Sequence, residues 1–194
     1  MLNRIYRAFL KRALDLVLAL MLALLLLLPM LLIAVAIRSE SEGGAIFRQK
    51  RRGRGGRVFT CYKFRTMRLD APSNLSASQF CDRERYITRV GRFLRRSSLD
   101  ELPQLFNVIR GDMSLVGPRP LICEEKDMHD GRQRAGVYAL RPGITGMAQI
   151  GGRNSLDNSE KILQDAYYLN NLKLSLDAKI LFRTLFSVIR KEGI

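Results

Sequence analysis

The chain has 194 residues, 47% of them hydrophobic, and carries 33 Lys and Arg against 18 Asp and Glu, a formal net charge of +15. That length suits one folded unit with room for a membrane element, and the cationic surplus requires an anionic partner: nucleic acid, acidic lipid headgroups or a phosphorylated substrate. Cys61, Cys81 and Cys123 form no CxxC pair and His129 is the single histidine, which argues against a zinc ribbon, a disulfide framework and a His-based metal cluster and fits a reducing cytosol.

From Leu16 to Ile37 the sequence is apolar, interrupted only by Pro29. Helical throughout, this run would reach roughly 33 Å, enough for a hydrocarbon core of about 30 Å. Pro29 removes a backbone hydrogen bond and crowds the preceding turn, so a break is predicted near Leu28. Arg4, Arg7, Lys11 and Arg12 precede the run, and Arg38, Arg48, Lys50, Arg51, Arg52, Arg54 and Arg57 follow it. Both flanks therefore prefer the cytoplasmic side. A helix-break-helix that enters and leaves one leaflet satisfies both; a kinked full span is the alternative. Ala34-Val35-Ala36 has the form of a signal cleavage site, but the apolar run is too long for one and a basic stretch follows at once.

Ala45–Gln49 and Val58–Arg65 are rich in Phe, Val, Tyr and Thr and predict a β-hairpin, with Lys50–Arg57 as a cationic loop. The spacing of Gly53, Gly55 and Gly56 fits neither a dinucleotide fingerprint nor a Walker A loop; the loop is either a solvated turn or one resting on anionic headgroups. Ala71–Ser78 reads as a loop and Asp82–Arg96 as a helix. Glu125 and His129 stand four apart, as two metal ligands could, but ordinary helix surface accounts for them. Arg141–Asn154 is Gly-rich and turn-like. Ser175–Lys191 predicts an amphipathic helix with Leu176, Ile180, Leu181, Phe182, Leu185, Val188 and Ile189 on its apolar side. Ser175 and Asp177 suit its N-terminus. Its apolar side either packs on the core or lies in a membrane interface.

The densest stretch is Ser97–Leu121. Ser98-Leu99-Asp100-Glu101 fits a capping box, which would set Asp100 in the first turn of a helix, where amides and dipole favour phosphate and keep a carboxylate charged. Pro103 conflicts with this and would let the helix begin later, leaving the two carboxylates in the preceding turn. A carboxylate that attacks a diphosphate needs surrounding cations. Arg95, Arg96, Arg110, Arg119, Arg141 and Arg153 supply them, and Mg²⁺ between the carboxylates and the diphosphate would add to them.

The blocks Ser98-Leu99-Asp100-Glu101-Leu102-Pro103-Gln104-Leu105-Phe106-Asn107-Val108 and Gly111-Asp112-Met113-Ser114-Leu115-Val116-Gly117-Pro118-Arg119-Pro120-Leu121 resemble the core of the bacterial sugar transferase family, the small monotopic phosphoglycosyl transferases. Lys11-Arg12-Ala13-Leu14-Asp15, Tyr62-Lys63-Phe64-Arg65-Thr66-Met67 and Arg141-Pro142-Gly143-Ile144-Thr145-Gly146 agree, in order, from about Lys11 to the C-terminus. The resemblance implies a mostly α fold with a small β-hairpin: a re-entrant membrane helix-break-helix over residues 1–40, broken at Pro29, and one catalytic domain over 41–194 with interfacial amphipathic helices. It places that domain on the cytoplasmic face of the bacterial inner membrane.

The implied reaction moves a sugar 1-phosphate from a UDP-sugar to a polyprenol phosphate. Asp100 would be the nucleophile, and Asp100 with Glu101 would hold Mg²⁺. Lys63, Arg65, Arg95, Asp112, Arg119, Pro120, Arg141 and Arg153 are the substrate contacts the resemblance suggests. Met147 and Gly151 depart from the family pattern, as does Leu28 before the proline. No nucleic-acid partner is expected, because the aromatics cluster in apolar runs and no recognition motif is present. A non-catalytic scaffold, the rival reading, would tolerate loss of Asp100.

Overall fold

The computed structural model describes residues 2–71, 83–152 and 156–189. Helix α1 (Leu2–Ile5) runs through a π-helical turn at Tyr6–Leu10 into α2 (Lys11–Leu25), and α3 (Leu27–Glu40) follows at a bend of 60°. The break falls at Leu26 (φ −94°, ψ 7°), two residues before the predicted position. Pro29 explains the offset: its ring collides with the carbonyl four residues back, that of Leu25, so the dihedrals give way beside that carbonyl rather than beside the proline. Among the described residues no single helix is long and apolar enough to cross a membrane; the bent pair together is. Its outer surface is bare hydrocarbon, with Leu24 75%, Leu25 74% and Leu28 66% exposed.

The hairpin forms as β1 (Ile46–Arg52) and β2 (Val58–Phe64), antiparallel from Ile46↔Phe64 to Arg52↔Val58. Lys50, Arg51 and Arg52, assigned to the loop by sequence, belong to the strand. The true loop is Gly53–Arg57, where Gly55 (φ 64°) and Gly56 (φ 73°) take the left-handed conformation open to glycine. The helix predicted over Asp82–Arg96 is two, α4 (Arg83–Tyr86) and α5 (Arg89–Ser97). Ile87 bridges to Met67, and Thr88 Oγ1 starts α5 by accepting the Gly91 N–H at 2.9 Å. Asp82, and the predicted loop beyond Ala71, lie outside the described residues.

Beyond α6 (Gln104–Arg110) come β3 (Ser114–Val116), β4 (Leu121–Ile122), α7 (Lys126–Arg134), β5 (Gly143–Thr145), α8 (Met147–Ile150), α9 (Asn158–Asn171) and α10 (Leu174–Ile189). Strand β4 extends the hairpin sheet beside β1, while β3 and β5 pair in parallel through Ser114↔Gly143 and Val116↔Thr145. The stretch expected to be turn-like thus contains a strand and a helix. Gly143 and Gly146 do not mark turns: with Gly117 they allow backbones to touch, and a Cβ on Gly143 would lie 2.1 Å from Gly117 N, whereas Gly151 and Gly152 do form a turn after α8.

Tyr6 and Ala19 of the N-terminal helices share one core with Leu105, Val108, Met113, Tyr168 and Ile180. Polar ties reinforce that contact. Asp177, expected at the α10 N-terminus as a dipole partner, is 4% exposed and accepts from Tyr6 OH (2.6 Å), Tyr168 OH (2.6 Å) and Lys11 Nζ (2.7 Å). Buried Asp15 accepts from Ser114 Oγ at 2.7 Å. Along α10, Leu176 and Ile180 pack inward while Phe182, Leu185 and Phe186 stay exposed.

Candidate active site

The capping box does not form at Ser98. Ser98 closes α5 in the left-handed region (φ 55°) and gives no side-chain cap; Leu99–Glu101 is a 3-10 turn, and α6 begins after Pro103. Proline's lost N–H is harmless at that position. The capping box this chain does build is at Asp157 and Glu160, ahead of α9. The carboxylates therefore sit in a short turn between two helices, Asp100 half-buried and Glu101 8% exposed.

Glu101 Oε1 lies 2.6 Å from Lys63 Nζ and 3.6 Å from Arg119 Nη1. These three side chains, with Pro120, Arg51 and Gln104, line a small cleft between the hairpin, the turn and the Arg119 segment. The sequence names Lys63, Glu101, Arg119 and Pro120, and the fold brings them together. It brings in Arg51 and Gln104 as well, which the sequence reading did not nominate as site residues.

Asn107, wholly buried, keeps Lys63 and Glu101 in register. Its Oδ1 accepts the Tyr62 N–H at 3.0 Å and its Nδ2 donates to the Thr60 carbonyl at 2.7 Å, stitching α6 to β2. The available signal was a polar residue amid Leu105 and Val108 on the apolar side of a helix. Arg12 fastens the other end of α6, donating to the carbonyls of Val108 (2.7 Å) and Ile109 (3.1 Å), a favourable place for a cation at a helix C-terminus.

The remaining nominated residues stand elsewhere. Arg65 is buried and donates to the carbonyls of Glu42 and Ser41, tying the end of α3 to β2. Arg95 Nε donates to Thr66 Oγ1 at 2.9 Å. Asp112 accepts from Asn107 Nδ2 at 3.4 Å, and Arg141 Nε donates to the Gly111 carbonyl at 3.0 Å. None of the four lines the cleft. Arg153 lies outside the described residues. His129 is not helix surface as expected but a buried side chain, with Nε2–H donating to the Ile122 carbonyl at 2.8 Å and Nδ1 bonded to the Tyr138 hydroxyl.

Burial raises the Cys61 thiol pKa, so it stays neutral beside Lys63 and is no rival nucleophile. Burial, then repulsion from Arg119, pulls the Arg51 guanidinium below its ordinary value. No group of three His, Cys, Asp or Glu that could hold a metal occurs among the described residues.

The cations Arg51, Lys63 and Arg119 line the cleft together with Glu101, whereas Asp100 stands beside Glu101 in the same turn without lining it, and the bent helix pair exposes apolar side chains. Residues 6–191 match the family model described as bacterial sugar transferase. The chain belongs to that family. It is 37% identical over 207 residues to an uncharacterized sugar transferase of Haemophilus influenzae, covering 99% of this chain and 43% of that protein. It is 44% identical over 192 residues to the UDP-glucose:undecaprenyl-phosphate glucose-1-phosphate transferase of Caulobacter vibrioides (94% and 71%). With the undecaprenyl-phosphate galactose phosphotransferase of Salmonella typhimurium the identity is 40% over 200 residues (95% and 41%). The chain thus spans less than half the length of two of these relatives.

Proposed function

We propose that this chain transfers a sugar 1-phosphate from a UDP-sugar to undecaprenyl phosphate or a similar polyprenol phosphate, as a step in bacterial polysaccharide synthesis. The observation that carries the reading is the turn of Asp100 and Glu101, with Glu101 gripped by Lys63 and Arg119 at the edge of a cationic cleft. The names of the relatives support it.

In the first half-reaction an Asp100 carboxylate oxygen attacks the β-phosphorus. The bond from that phosphorus to the bridging oxygen breaks, and UMP leaves with the electron pair. Lys63 and Arg119 offset the charge that accumulates. In the second half-reaction a phosphate oxygen of the polyprenol attacks the same phosphorus, the acyl-phosphate bond breaks, and Asp100 is regenerated. Glu101, its charge held by two cations, orients those cations toward the diphosphate.

Asp100 and Glu101 would hold Mg²⁺ through carboxylate oxygens, Glu101 sharing its charge with Lys63 and Arg119; that ion takes one or two carboxylates and completes its shell with water and substrate phosphate. Bound there, it would supply charge neutralisation at the diphosphate.

The bent pair of α2 and α3 is the proposed membrane element, entering and leaving the cytoplasmic leaflet with the catalytic part on the cytoplasmic face. Its exposed leucines need an apolar phase, and its flanks are basic on both sides. Exposed Phe182, Leu185 and Phe186 extend apolar contact to α10. Cysteines at Asn3 and Ser41 label from one face of the membrane on this reading, and from opposite faces in a full span.

The mechanism is tested with membranes containing the full chain, undecaprenyl phosphate, and UDP-glucose, UDP-galactose or UDP-N-acetylgalactosamine. UMP release is expected with at least one donor, along with a trapped sugar-phosphate adduct. Undiminished release by Asp100→Asn would overturn the mechanism.

A further inference from the structure

Pro118 and Pro120 flank Arg119 and have no N–H, so this segment offers few donors of its own to hold it in place. It is held instead by its carbonyls, three in a row. The Gly143 N–H donates to Pro118 O at 2.9 Å, Arg132 Nη1 to Arg119 O at 2.7 Å, and Arg51 Nη1 to Pro120 O at 2.8 Å.

Both guanidiniums are themselves fixed. Arg132, 4% exposed, places Nε and Nη2 on Asp165 Oδ2 at 2.9 and 2.6 Å, and Asp165 is 1% exposed. Arg51 Nη2 reaches Gln49 Oε1 at 2.5 Å, and its backbone pairs with Ile122 in the sheet. A buried ion pair such as Arg132–Asp165 adds little stability over packed apolar side chains. A planar guanidinium, by contrast, fixes two acceptors in a set relative geometry, which an ammonium cannot do. The arrangement therefore points to a geometric role.

We propose that Arg51 and Arg132 are positioning residues that grip two successive carbonyls, Arg132 that of the Arg119–Pro120 peptide and Arg51 that of the peptide after it. They set where the Arg119 guanidinium stands relative to Glu101 and to the diphosphate of the bound nucleotide. The inference rests on Arg119 as a phosphate contact. Neither positioning residue needs to touch substrate, because each acts through a carbonyl of the segment.

The test is a binding cycle in the full chain, reconstituted in lipid nanodiscs and carrying Asp100→Asn so that binding is read apart from turnover. UDP is the probe, titrated by calorimetry. Arg119→Ala is expected to weaken UDP binding by about tenfold or more, the scale of a lost charge-assisted hydrogen bond. Arg51→Gln is expected to weaken it by about three- to tenfold when Arg119 is present, and to have no further effect when Arg119 is alanine. Asp165→Asn, which loosens Arg132, should behave the same way.

A merely structural role predicts equal loss in both backgrounds, and that result overturns the proposal. Parent-like affinity in Arg51→Gln, or a parent that binds no UDP, does so too. Should Arg51→Gln fail to fold, Arg51→Lys keeps the charge without the fork. It should show a smaller loss that again vanishes with Arg119→Ala, and parent-like affinity in Arg51→Lys would rule out the geometric role. UMP release by Asp100→Asn, measured separately, would defeat the catalytic reading and leave this cycle interpretable.

Discussion

Lys63 reaches from β2 to Glu101 in the turn before α6, their charged atoms 2.6 Å apart and their side chains only 19% and 11% exposed. Removing Lys63 leaves the largely buried Glu101 carboxylate without its nearest cation, with Arg119 at 3.6 Å. Lys63→Met is expected to destabilise the protein by about 3 kcal/mol and to reduce UMP release by roughly a hundredfold. The Lys63→Met/Glu101→Gln double variant should regain part of the stability and none of the rate. Thermal unfolding and initial rates on the same samples check both; a double variant as unstable as the single would contradict the pairing argument.

Asn107 makes two hydrogen bonds to β2 from a fully buried position. Asn107→Leu strands the Tyr62 N–H and the Thr60 carbonyl, at about 1–3 kcal/mol for each group left unpaired. A fall in the unfolding midpoint is expected, with a lower rate per folded molecule because Lys63 lies one residue from the lost bond. Unchanged hydrogen exchange at Tyr62 would count against this account.

Gly143→Ala places a methyl carbon 2.1 Å from the Gly117 backbone nitrogen, whereas Gly44→Ala meets nothing within 4 Å. The first variant should fail to accumulate as folded protein and the second should behave as wild type. Comparable expression and melting of the two would show that β3 and β5 do not pack backbone to backbone.

His129 sits with Nε2–H on a carbonyl and Nδ1 on a hydroxyl, and burial lowers its pKa below the ordinary histidine value. The folded protein therefore prefers the neutral ring. Its contribution is fully present above about pH 6.5, the unfolded reference, and is lost as pH falls through the lower folded value. Between pH 7.5 and 5.5 the wild type should lose more stability than His129→Gln, which keeps a donor and an acceptor without titrating. Parallel losses in urea unfolding at the two pH values would exclude the histidine as the cause.

The local features were legible where a single residue type dictates geometry. Pro29 announced a break, and Phe59, Thr60 and Tyr62 announced a strand. The capping box at Ser98 was misleading, but the alternative that Pro103 offered, a later helix with the two carboxylates in the preceding turn, is the one that forms. Glycines in Gly143-Ile144-Thr145-Gly146 looked like turn punctuation because a sequence does not reveal that another backbone lies against them. By sequence Arg51 falls in the cationic loop, and nothing singles out Arg132. Their acceptors lie 69 and 13 residues away along the chain, and only the fold makes them neighbours.

The Glu40 carboxylate, at the far end of α3, accepts the N–H groups of Arg89 and Val90 at 2.6 and 2.9 Å, and α5 leads directly through Ser98 into Asp100. The bend beside Pro29 thereby bears on where α5 and the Asp100 turn stand. If α3 were straightened onto the axis of α2, its far end would swing through roughly 20 Å, given 1.5 Å per residue over its length, and would carry that carboxylate off α5. The angle between two apolar helices is in this way coupled, through one carboxylate, to the placement of the turn that carries Asp100 and Glu101.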